Sequence, residues 1–340
     1  MNGKQRIAAA LAGQQPDSTP IMLHNFMLAA REAGVTMREY RSDPRQIARC
    51  HIEAVEKYGV DGVLIDVDTA TLAGAAGVPT EFPEDDPAVC HGALLQSLEA
   101  VDDLAPVDVS AYPGVQVWLE GTRLLKQHFA DEICIRGNCD QAAFSLACML
   151  RGAEDWLLDI VEEDSQERVL KLLDYCHTIT AQFLRLMAQT GADMLSNGDS
   201  SAGTSLISPR LYRRLGQPYQ TRTAAVSHEL GLPWALHICG NANLILADML
   251  QTGADALELD FKTDAARARR ELQGRATFIG NIDPSGVLAL GTPELVASRT
   301  HDLLDVFAGE PRFILHSGCA LPASTPTANL QAMIRAAREH

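Results

Sequence analysis

The chain has 340 residues, 46% of them hydrophobic and 21% charged, enough to bury one large core or two average ones. Its formal net charge of −16 argues against a nucleic-acid partner or an anionic membrane surface, because both need a basic patch. No apolar run is long enough to span a bilayer, and eight scattered cysteines without a C-x-x-C pair suit reduced thiols in a cytoplasm.

The opening apolar stretch I-A-A-A-L-A-G is short and runs into polar Q-Q-P-D, which disfavours an export signal. Beyond it, short apolar runs alternate with longer helical patterns. Strands are predicted over 20–23, 60–66, 132–136, 193–197, 233–237, 255–259, 277–280 and 312–316. Helices are predicted over 44–58, 153–162, 166–189, 209–230, 242–251, 293–307 and 327–339. Eight strands with intervening helices indicate an α/β fold, a single (β/α)8 TIM barrel over 1–340. Residues 74–127, with E-F-P-E-D-D-P among them, are long for one connection between strands 2 and 3. They read as an insertion over the barrel mouth, either a lid or surface elaboration.

Barrel active sites lie at the carboxyl ends of the strands. The residues there are polar: His24 and Asn25, Asp66 and Asp68, Asn138 and Cys139, Asn197 and Asp199, His237 and Cys239, Asn281 and Asp283, His316 and Cys319. His237 and Cys239 stand two residues apart and so project from the same side of a strand. With Cys319 they offer one imidazole and two thiolates, a soft set that suits zinc and leaves a fourth position open. Buried cysteine is also common as a small hydrophobe, so residue types alone leave metal binding and packing both open. His316 reads as a strand-end histidine bonded to the next loop, and Cys139 as a packing residue or spare ligand. Asp66 and Asp68 share one side of strand 2 and could handle protons or cationic groups, or one could cap the following segment. Asp199 sits in turn-rich N-G-D-S-S-A-G, where a structural role competes with a substrate-orienting one.

Longer stretches carry a resemblance: E-K-Y-G-V-D-G-V-L-I-D-V-D, L-I-S-P-R-L-Y-R-R-L-G-Q-P-Y, H-I-C-G-N, F-I-G-N-I-D-P and G-C-A-L-P-A-S-T-P-T-A-N-L. Over nearly its whole length the chain resembles the uroporphyrinogen decarboxylase superfamily, and within it the zinc-dependent methylcobamide:thiol (coenzyme M) methyltransferases. The resemblance implies a (β/α)8 barrel with Zn2+ on His237, Cys239 and Cys319. It also implies a methylated corrinoid as donor, presented by a separate corrinoid protein, and a small thiol as acceptor. Decarboxylases of the superfamily carry an arginine-rich R-Q-A-G-R segment. Here the stretch is F-M-L-A-A-R-E-A-G, which keeps only Arg31. The expected chemistry is attack of a zinc-activated thiolate on the corrinoid methyl group, with Asp199 as the catalytic or orienting carboxylate. Asn25, Asp66, Asn138 and Asn281 are the expected substrate-binding residues. The alternatives are a zinc-independent carboxy-lyase acting through Asp66 or Asp68, and a non-catalytic barrel that binds a corrinoid or thiol.

Overall fold

Parallel strands buried on both faces need continuous apolar runs, and G-V-L-I, W-A-L-H-I and F-I-L-H supply them. In the computed structural model, which describes residues 1–340, eight such runs are barrel strands. They are β1 (Met22–Leu23), β2 (Gly62–Ile65), β5 (Cys134–Gln141), β6 (Met194–Gly198), β7 (Trp234–Ile238), β8 (Ala256–Leu259), β9 (Thr277–Asn281) and β10 (Phe313–His316). Two further strands, β3 (Thr80–Glu81) and β4 (Val89–Cys90), pair as a small antiparallel hairpin outside the barrel. The barrel order is β1-β2-β5-β6-β7-β8-β9-β10 with every pair parallel, and a parallel bridge between Ile21 and Leu315 closes it. Every predicted strand is present, and the fold is the single (β/α)8 barrel expected.

The helices start where the sequence offers caps. Asp43 accepts from the Arg45 N–H ahead of Pro44–Tyr58, and Thr292 accepts from the Leu295 N–H ahead of Pro293–Val306. The predicted helix over 209–230 is instead three pieces: Pro209–Leu211, a wide π-type turn over Tyr212–Gly216, and Gln217–Glu229. Pro218 has no N–H to bond the carbonyl four residues back, so the ladder widens there.

The long segment over 74–127 is two things. Its second part, Pro113–Phe129, is a barrel helix: buried Trp118 donates from its indole to the Ile65 carbonyl of β2. Only the first part, with the β3–β4 hairpin and two 3-10 turns, is extra. Its Pro87 reaches the cavity described below. At the opposite end of the barrel the helix Gly3–Ala12 lies across the strand starts, where Ile7 and Ala10 join an apolar layer of Met22, Met194, Ile279 and Ile314.

Candidate metal centre

The carboxyl ends of β7 and β10 bring the three soft donors together. His237 on β7 and Cys239, the first residue past it, keep the strand's alternation and project to one side, with His237 Nε2 2.9 Å from Cys239 Sγ. Cys319 follows β10 after a turn at Gly318, whose φ is +71°; an added Cβ there would meet the Leu259 carbonyl oxygen at 2.7 Å. That glycine lets the chain turn back tightly enough to set Cys319 Sγ 3.7 Å from Cys239 Sγ. All three ligand atoms lie within 4.8 Å of one another.

The donor set fits zinc. Two thiolates at zinc–sulfur distances of about 2.3 Å around a tetrahedral ion stand roughly 3.8 Å apart, close to the observed separation. The imidazole must move outward by about half an ångström to take its own corner. Its tautomer is already chosen: Nδ1 donates to the Glu258 main-chain carbonyl at 3.1 Å, leaving Nε2 to face the sulfurs. Charge points the same way. The Cys319 hydrogen bond and the His237 imidazole pull the Cys239 thiol far down, and the same contact pushes Cys319 up. Burial opposes a charge on His237, but the Cys239 thiolate and Glu258 outweigh it and raise the imidazole to about 10. The three groups compete for protons that a divalent cation would displace on binding.

These ligands form one wall of a cavity of about 250 Å³. Its floor is a charged network inside the barrel. Arg136 Nη2 approaches Glu258 Oε2 at 2.5 Å, out of line for a hydrogen bond, and both side chains are 1% exposed. Burial pushes the Glu258 carboxyl up, yet Arg136 and the surrounding histidines hold it well below the usual carboxylate range. Glu258 Oε1 stands 3.4 Å from His237 Nδ1 and 4.0 Å from both His24 Nδ1 and His316 Nδ1. His24 Nε2 meets Asp66 Oδ2 at 2.7 Å. Burial holds His316 neutral, with its pKa near 3, and its Nδ1 accepts the Gly318 N–H, the loop contact expected for it.

Of the substrate-binding residues expected from sequence, Asp66 and Asn138 line the cavity. Asn25 is fully buried behind the wall made by its neighbours His24 and Phe26, and its amide has no protein partner. Asn281 turns away from the cavity, because its amide nitrogen is tied to the Asp260 and Thr263 carbonyls at 3.1 Å each. Asp199 is likewise outside it. Its carboxylate is fully buried and accepts from the Ser145 N–H and the Gln220 amide, so a role in proton handling at the metal loses its geometric basis. Asp68 caps Thr71–Ala76 through the Ala70 and Thr71 N–H groups. Cys139 is buried in the core. Arg136 and Glu258 were missing from the sequence reading, although a charge inside I-R-G and L-E-L was the available signal.

The family described as uroporphyrinogen decarboxylase (URO-D) matches residues 2–340. A methylcobamide:CoM methyltransferase, MtbA of Methanosarcina acetivorans, is 27% identical over 343 residues, covering 99% of this chain and 98% of that protein. A uroporphyrinogen decarboxylase of Synechococcus sp. is also 27% identical, over 315 residues, covering 91% of this chain and 86% of that protein. Among solved structures, a methyltransferase from Methanosarcina mazei superposes with a TM-score of 0.90 at 22% identity, covering 100% of this chain and 99% of that one. No helix is long and apolar enough to cross a membrane.

Proposed function

Because the chain belongs to the uroporphyrinogen decarboxylase (URO-D) family, whose members divide between decarboxylation and methyl transfer, we propose that its His237–Cys239–Cys319 centre assigns it to methyl transfer. The enzyme is a methyltransferase that moves a methyl group from a methylated corrinoid to a small thiol. One observation carries this reading: three soft donors converge on a point at the wall of a cavity sized for a small molecule. Methyltransferase and decarboxylase relatives both match along most of the chain, so overall likeness does not separate the two activities, whereas the donor set does.

His237, Cys239 and Cys319 would hold zinc, which would supply the positive charge that favours the deprotonated form of an incoming thiol near neutral pH. The protein's own residues do the rest. Glu258 fixes the His237 ring through its carbonyl, and Arg136 holds the Glu258 carboxylate within the barrel. Phe26, Met27, Leu64 and Pro87 give the cavity an apolar side that excludes water from the sulfur nucleophile. In the transfer the thiol sulfur gives up its proton to solvent and forms a bond to the methyl carbon. The carbon–cobalt bond breaks, and its electron pair stays on cobalt. A space of about 250 Å³ holds a small thiol but not a corrin ring with its side arms, so the donor approaches from the mouth, carried by a separate corrinoid protein. Free thiols throughout the chain suit a reducing cytoplasm.

The test combines metal analysis with a methylcobalamin assay against a panel of thiols. Purified protein is expected to carry one zinc per chain. Cys239→Ser and Cys319→Ser should each lose the metal and cut thiol methylation by at least about 100-fold. Full zinc content in both variants would defeat the ligand assignment. Metal-independent turnover of a carboxylate substrate, abolished in Asp66→Asn, would favour decarboxylation instead.

A further inference from the structure

In the ring β1-β2-β5-β6-β7-β8-β9-β10 the metal donors belong to the ends of β7 and β10. The strands β2 and β5 therefore stand across the barrel from the arc between them. A thiol whose sulfur takes the open metal position runs its tail toward the β2–β5 wall of the same cavity. That wall carries Asp66 and Asp68 past the end of β2, and Asn138 and Asp140 on β5, and all four line the cavity.

Carboxyl groups outnumber cations here. Asp66, Asp68, Asp140 and Glu258 line the cavity with a single guanidinium, Arg136, and no lysine. Arg136 is closed to a ligand, because its Nη2 stands against Glu258 while its Nε and Nη1 have no accessible surface. His24 is closed as well: its Nε2 meets Asp66 and its Nδ1 is fully buried. Arg41, the other cation near Asp68, lies outside this cavity, with Nη1 and Nη2 on the Pro83 and Asp86 carbonyls. A tail ending in a sulfonate or carboxylate would meet like charge and find no free cation.

An acceptor is open on the wall. Asp68 Oδ1 takes the Ala70 N–H, the Thr71 N–H and the Thr71 hydroxyl, each at 2.9 Å. Its Oδ2 takes no donor from the protein and keeps accessible surface. Burial pushes the Asp68 carboxyl up, and a cation beside Oδ2 would return it to the charged form. Half-buried Asn138, whose amide bonds to nothing in the protein, offers a second oxygen on this wall.

We propose that the acceptor is an aminothiol, whose ammonium is held by Asp68 Oδ2 and the Asn138 oxygen while its sulfur reaches the metal. This rests on the methyl-transfer reading above and adds the charge of the acceptor's tail.

The zinc-loaded full chain is assayed with saturating methylcobalamin and with thiols matched in length. Cysteamine and aminopropanethiol are set against mercaptoethanesulfonate and mercaptopropanesulfonate. At one length or both, the aminothiol should show a kcat/KM at least about tenfold above its sulfonate partner. Asp68→Asn keeps the Oδ1 cap and sets an N–H2 where Oδ2 was, so this ratio should fall about tenfold with zinc content unchanged. Intrinsic thiol reactivity is common to both proteins, so the change in ratio belongs to Asp68. Equal or reversed preference in wild type at both lengths would overturn the aminothiol. An unchanged ratio in Asp68→Asn would overturn Asp68 as its partner. Should no thiol be methylated, the methyl-transfer reading falls, and equilibrium binding of the same thiols then decides the matter alone. Aminothiol binding about tenfold tighter than sulfonate binding, lost in Asp68→Asn, supports the cationic tail, and equal binding overturns it.

Discussion

Both oxygens of Asp199 are occupied: the Ser145 N–H donates to one at 2.8 Å and the Gln220 amide to the other at 2.7 Å. Burial raises the carboxyl to about 6 against these two bonds. Gln220 cannot simply turn its amide over, since its own oxygen accepts the Tyr212 hydroxyl at 2.6 Å. An asparagine at 199 keeps one acceptor and sets its N–H2 against a fixed donor. Asp199→Asn should therefore lower stability by about 1–3 kcal/mol, read from the urea midpoint, while zinc stoichiometry stays at the wild-type value. An unchanged midpoint with lost turnover would return Asp199 to the chemistry. The same scale explains what could be read in advance. His237 and Cys239 were legible because strand alternation is a property of the backbone, independent of what surrounds it. Asp199 and Asn281 were not, because a side chain at a strand end can turn to the cavity or to the scaffold. Only the neighbouring donors and carbonyls decide between them. Glu258 lies in a strand whose other side chains are apolar, and Arg136 is buried at the start of β5 beside Cys134 and Ile135, places where an unpaired charge is costly. Each implies the other, yet nothing local gives the register that pairs them.

At the scale of elements, the strands were legible and the connections less so. Apolar runs in a parallel sheet are buried on both faces, so they stand out from the amphipathic helices around them. The helix Pro113–Phe129 was hidden inside an apparent insertion, because loop-rich residues precede it and no strand follows until Cys134. Its packing shows where it belongs. A Cβ added at Gly121 would stand 2.9 Å from the Cβ of Ile47, on the neighbouring helix Pro44–Tyr58. On propensity alone Gly121→Ala should stabilise the helix by about 1 kcal/mol. Here the crowding of Ile47 acts against it, and overpacking of this kind costs about 1–3 kcal/mol. The expected outcome is a net loss of stability in Gly121→Ala, and a loss in Gly121→Ala/Ile47→Ala smaller than the sum of the two single losses, because Ile47→Ala removes the Cγ2 and Cδ1 atoms that crowd the position. A stabilised single variant, measured by thermal or urea unfolding, would mean that the two helices are not in close contact at this point.

At the scale of the molecule the barrel divides its labour between its ends. The metal donors, the charged floor and the cavity above it belong to the carboxyl side of the strands, where loops are free to vary without breaking the ladder. The amino side is closed by Gly3–Ala12, whose Ile7 is 1% exposed against the apolar layer at the strand starts. Asp61 ties this end together, meeting Arg6 at 3.0 Å and Arg338 at 2.8 Å while accepting the Ile21 N–H at 2.9 Å. That bond sits next to the Ile21–Leu315 bridge where the barrel closes, so the plug and the closure are one structure. Ile7→Ala removes apolar atoms from this layer and leaves a cavity that the surrounding strands cannot collapse to fill. The expected cost is about 2–4 kcal/mol in urea unfolding. Zinc stoichiometry and the KM values for thiol and methylcobalamin should stay within about twofold of wild type, because the lesion lies at the far end of the strands from the donors. A parallel loss of zinc would show that the two ends are coupled through the barrel, with the charged floor at Arg136 and Glu258 as the connecting layer.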